Sequence, residues 1–143
     1  MVCVMSNEFL KAFQGKFIGI LSWQQWDEFR QQLINTASAD WYIHRVGEPI
    51  PEHTISEIQF IHFLEQIDRL FHEKHQARVF GLVYTDDLQQ PTLIKLYHPK
   101  NLGATCGSSG SRVLPGWVLS HLKPVDLSVL VVEEKPKAWW RFW

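Results

Sequence analysis

The sequence of 143 residues has little cysteine, no long hydrophobic run and almost no net charge. Two cysteines, Cys3 and Cys106, are too few for the disulfide framework of a small secreted domain. Met1–Met5 is apolar but short, has no basic region, and runs into polar Ser6-Asn7-Glu8, so no secretory signal is expected. Two reduced thiols and a cytoplasmic location are the expectation. The longest apolar stretch, Leu127–Val132, contains Ser128 and falls far short of the ~20 residues that cross a bilayer. A formal net charge of -1 gives no overall field for DNA or RNA, which excludes nucleic acid as the expected partner. Internal repeats and linkers are missing. So are G-x-G-x-x-G, Walker and G-x-S-x-G motifs, and no cofactor is expected.

What is present is a globular composition. Apolar residues make up 45% and charged residues 20%, a balance that builds a core, and the length suits a single domain over residues 1–143. Aromatics reach 13%, with seven tryptophans, more large rings than a domain of this size hides completely.

The first half reads as helical. Ser6–Phe13 places Phe9, Leu10 and Phe13 on one side and stops at Gly15; Phe17–Leu21 is an apolar lead-in. Ser22-Trp23-Gln24-Gln25 fits a capping box, followed by Trp23, Trp26, Phe29 and Leu33 at helical spacing. Trp41–Val46 has strand character, and Pro49 and Pro51 stiffen the connection after it. Thr54-Ile55-Ser56-Glu57 reads as a second box opening a helix to about His72. Its stripes are Ile58, Ile61, Leu64, Phe71 and Phe60, Phe63, Ile67, Leu70.

The period then changes. Arg78–Thr85 and Thr92–Tyr97 read as strands joined by Asp86–Pro91, whose adjacent aspartates suit a turn. Trp117–Leu122 and Leu127–Glu133 are two more. Early helices and late strands predict an α+β fold: an antiparallel sheet of about five strands with two to three helices packed on one face.

Between two of those strands lies the exceptional segment, Tyr97–Leu122, with four of the eight glycines, Cys106 and two of the seven histidines. A long irregular loop in a compact domain usually carries function. Candidate binding residues are His98, Cys106, Ser108, Ser109, Ser111, Arg112 and Trp117. Cys106-Gly-Ser-Ser-Gly-Ser-Arg112 spells C-x5-R, a spacing that resembles the signature of cysteine-dependent phosphatases. The resemblance implies an anion cradled by backbone N–H groups, with Cys106 as nucleophile, Arg112 as clamp, and Asp86 or Asp87 as the acid. The chain departs from that signature: Thr105 precedes the cysteine, and Val113-Leu114-Pro115-Gly116 follows where the signature opens a helix. Binding of an anionic small molecule by Cys106 and Arg112 is therefore the alternative reading, not the leading one. His98, Cys106 and His121 are of metal-ligating type but lack the short spacing of zinc sites, so no metal is expected. His72-Glu-Lys-His75 has its histidines three apart, not the four of a metalloprotease helix.

The final segment, 135–143, packs Trp139, Trp140, Phe142 and Trp143 among three cations. Such a cluster either completes the core or forms a contact patch. A single short tail binds membrane surfaces weakly, which places that option last. The sequence thus points to a non-enzymatic binding or accessory protein. It would use the 97–117 loop and the aromatic tail against a protein partner or a second copy of itself.

Overall fold

The computed structural model describes residues 2–75, 80–99 and 114–127, the first six of them by backbone alone. Three helices, α1 (Val2–Phe13), α2 (Trp23–Asn35) and α3 (Glu57–Lys74), alternate with five strands. The strands are β1 (Ile18–Ile20), β2 (Tyr42–Arg45), β3 (Val83–Thr85), β4 (Leu93–Leu96) and β5 (Trp117–Ser120). They form one sheet in the order β1-β3-β4-β5-β2, and every neighbouring pair is antiparallel. The fold is α+β, as the segregation of helical and strand patterns predicts.

The strands differ in detail from the sequence reading. The Phe17–Leu21 lead-in holds β1, which pairs with β3 in the register Ile18↔Thr85 to Ile20↔Val83. β3 begins at Val83, later than expected. Gly81 sits at φ +64, a left-handed conformation that interrupts an extended chain, although its N–H still reaches Ile20 O at 3.0 Å. The expected strand Leu127–Glu133 lies outside the described residues beyond Leu127.

Capping chemistry sets where the helices start. At α2 the Ser22 hydroxyl accepts from the Gln25 N–H at 3.1 Å. The Gln25 side chain reaches one residue past the usual box, taking the Leu21 N–H at 3.1 Å. At α3 the box is shifted two residues from the expected one. Ser56 is the N-cap, taking the Gln59 N–H at 3.1 Å while the Gln59 carbonyl takes the Ser56 N–H at 3.0 Å. Both tetrapeptides satisfy the pattern. Ile55 N–H donating to Trp41 O at 3.0 Å decides between them, because it ties up the chain after Thr54 and delays the helix by two residues. Ile58, expected in a buried stripe, lies in the first turn of α3 and is 78% exposed. Phe60 and Ile67 of one expected stripe and Leu64 and Phe71 of the other face the core.

The alternation along each strand gives the sheet two faces. On one, Ile20, Val83, Ile94, Leu96 and Leu119 pack against Trp26, Phe29 and Leu33 of α2 and the buried residues of α3. On the other, Leu93 and Val118 pack with Phe9 and Phe13 of α1 and with Leu127. Two helices thus share one face and the first helix covers the other.

The β3–β4 turn confirms the aspartate pair as turn chemistry. Asp86 accepts from the N–H groups of Thr92 (2.9 Å) and Leu93 (3.1 Å), and Asp87 from those of Gln89 (2.8 Å) and Gln90 (3.0 Å). Those backbone donors hold the Asp87 carboxyl below its ordinary pKa.

Candidate functional site

The long loop leaves the sheet after β4 and returns to it at β5, and its two ends are fastened together. Gly116 N–H donates to Leu96 O at 2.8 Å, Tyr97 N–H to Leu82 O at 2.8 Å, and Val46 N–H to Gly116 O at 2.9 Å. Directly above these bonds the His98 imidazole lies nearly parallel to the Trp117 indole, centroids 5.9 Å apart and planes 18° off. Arg45, paired with Trp117 across the β2–β5 ladder, holds its guanidinium carbon 5.9 Å from the same ring. Trp117 is half-buried and rests against the core; Arg45 is exposed. The root of the loop is therefore an indole contacted by a cation and by an imidazole at one end of the sheet. Each ring contact of this kind contributes about 0.5–1.5 kcal/mol.

Of the residues singled out from the sequence, His98 and Trp117 are brought together here. Cys106, Ser108, Ser109, Ser111 and Arg112 lie outside the described residues, as do Trp139, Trp140, Phe142 and Trp143. His121 stands at the far end of the ladder. Its Nδ1 lies 2.9 Å from Asp40 O and its ring 3.9 Å from that of Trp41. The four residues of β5 separate His98 from His121, at least roughly 13 Å along the strand at about 3.3 Å per residue.

Two arrangements have no counterpart in the sequence reading. The first joins α2 to α3. Asp68 accepts the Trp26 indole N–H at 2.8 Å, lies 3.6 Å from Arg30 Nε and 3.3 Å from His72 Nε2; Arg30 also lies 3.5 Å from Asp27. The His72 ring stacks on Trp23 at 4.6 Å. Asp27, Asp68 and His72 are the one group among the described residues with ligand-type atoms close enough for an ion. Asp68 is already committed to a buried indole that needs an acceptor, and the group reads as a polar tie between helices. Its sequence signal is the i,i+4 pair Asp68/His72 facing the i,i+3 pair Asp27/Arg30.

The second lies on the α1 side of the sheet. Lys95, half-buried in the middle of β4, stands opposite Tyr84 on β3 and Val118 on β5. Its Nζ is 4.1 Å from the Phe13 ring centroid and 4.0 Å from that of Phe17. No carboxylate among the described residues pairs with it. Burial pulls its pKa down to about 8, while the two ring faces act in the opposite sense by about 0.5–2 kcal/mol. Nearby, the Tyr97 ring meets Tyr84 edge-on at 5.6 Å, and burial followed by the neighbouring Tyr84 pushes the Tyr97 hydroxyl up to about 12.

Comparison of the chain with protein-family models, with curated proteins and with solved structures yields no match. The functional reading accordingly rests on the geometry of these groups.

Proposed function

We propose that this chain is a binding or accessory protein of the cytoplasm that meets a protein partner at the end of the sheet where the 97–117 loop is rooted. The supporting observation is the Arg45–Trp117–His98 group. An indole is held in place by backbone bonds on both sides and carries a guanidinium and an imidazole against its ring. Trp and Arg dominate contact energies because they combine large area with fixed geometry. Ordering cost is low here, since β2 and β5 already position both side chains. The residue types of the glycine- and serine-rich loop and of the aromatic segment 135–143 suit a contact surface as well. Among the described residues no helix is long and apolar enough to cross a membrane, which agrees with this placement.

The experiment is site-specific photo-cross-linking in cells. A photoreactive residue at Arg45 is expected to give a discrete protein adduct, and one at Gln66, on the exposed side of α3, none. Equal adduct patterns from both positions, or no protein adduct from Arg45, would overturn the proposal.

A further inference from the structure

The partner contact proposed above leaves one charge without a counterpart. The ion pairs among the described residues join Arg30 to Asp27 and Asp68, and His72 to Asp68. Arg45 takes part in none of them. Glu48, in the turn that follows, donates its backbone N–H to Arg45 O at 3.0 Å, yet its carboxylate forms no ion pair with the guanidinium. The sheet fixes where this charge stands. Val46 N–H donates to Gly116 O, so the next pair along the ladder, Arg45 and Trp117, is of the non-hydrogen-bonded kind, in which opposite side chains come closest. The guanidinium lies over the indole, and Arg45 remains exposed on β2, an edge strand of the sheet.

A partner seated on Trp117 covers Arg45 as well. A guanidinium taken out of water without an acceptor costs more than a ring contact returns, whereas one that meets an acceptor fixes the register of the contact. Resting on the loop-root reading, we propose that the partner brings a carboxylate to Arg45. The surface takes an acidic protein segment, in which an aspartate or glutamate stands beside an apolar residue seated on Trp117.

Two features single out a carboxylate. The guanidinium presents parallel N–H donors in one plane, which match the two oxygens of a carboxylate. A bound phosphate ordinarily collects several cations or a nest of backbone N–H groups. Among the described residues Arg45 is the one cation placed over this indole. The ladder and the ring also hold the guanidinium in advance, so less side-chain freedom is lost on pairing than for a lysine at the same place.

The test places a photoreactive residue at Glu48, so that Arg45 stays in place, and irradiates the purified full chain in a lysate of the cells that make it. Arg45→Gln is expected to lower the yield of protein adduct by about tenfold and Arg45→Glu to lower it further. Arg45→Lys should fall between the parent and Arg45→Gln. Raising salt from about 0.05 M to about 0.5 M should lower the parent's yield and leave the residual Arg45→Gln adduct unchanged. Arg45 is exposed, so all three variants should stay folded, which circular dichroism checks. Full yield with Arg45→Glu, together with loss in Trp117→Ala, would overturn the carboxylate and leave the loop-root contact standing. An adduct abolished by phosphatase treatment of the lysate would replace the carboxylate with a phosphate and overturn the proposal too. Without an adduct from position 48 that depends on Trp117, both readings fall.

Discussion

Trp26 of α2 donates its indole N–H to Asp68 of α3 at 2.8 Å, and this bond fixes how the two helices sit on the sheet. Trp26 is fully buried, so the alternative to the bond is an unsatisfied donor in the core. Asp68→Ala is expected to cost about 1–3 kcal/mol in urea unfolding, the range for orphaning a buried polar group. Asp68→Asn, which keeps an acceptor oxygen for the indole, should recover most of that loss. Equal destabilisation by the two variants would show that the interaction with Arg30 and His72, not the indole bond, dominates.

The position of the α3 cap can be tested in the same way. Ser56→Ala removes the hydroxyl that accepts the Gln59 N–H and should cost about 0.5–2 kcal/mol. Thr54→Ala lies before the helix and should stay within about 0.5 kcal/mol of the parent. The opposite ranking in chemical unfolding would restore the earlier cap.

Lys95 gives the stability a specific pH dependence. Its pKa is lowered on folding, from 10.5 to about 8, so between those values the unfolded chain binds more protons than the folded one. Stability at this site is therefore fully present above 10.5 and falls as pH drops through 8. Lys95→Met removes the titration and keeps the apolar packing. It should be more stable than the parent at pH 7, and the gap should narrow steadily as pH rises from about 8 to about 10. Thermal unfolding of the pair across that range checks it; a constant gap would mean that Lys95 stays charged and solvated in the folded protein.

Much of the fold is written locally. The spacing of Trp26, Phe29 and Leu33 after Ser22 identifies α2, and the aspartates of Asp86–Pro91 identify the β3–β4 turn, because a cap or a turn needs only residues close in sequence. Features that depend on another layer are not written that way. Ile18–Ile20 is too short to alternate visibly, and it becomes a strand only because β3 offers an edge. In Thr92–Tyr97 a lysine at the alternate position looks like the wet side of a strand. What sequence periodicity cannot show is that α1 and the connection after it cross that side and place Phe13 and Phe17 over Lys95. The loop root was half legible. Glycine and histidine content marks Tyr97–Leu122, whereas Arg45 joins Trp117 only through the register of β2 against β5, a contact across 72 positions of chain (117 − 45).

The same reasoning separates the two roles of Trp117. It is only half-buried, so Trp117→Ala should cost less than the 3–5 kcal/mol, roughly, of emptying a fully buried tryptophan site, and the variant should remain folded. A variant that fails to fold would place Trp117 among the core residues.

The most direct measurement is the yield of protein adduct from a photoreactive residue at position 45, compared between the parent and a folded Trp117→Ala variant. An anchor at the loop root predicts that the adduct falls by about tenfold or more, as for loss of a contact worth 1.4 kcal/mol or above. An adduct that keeps its full yield without the indole would contradict the account.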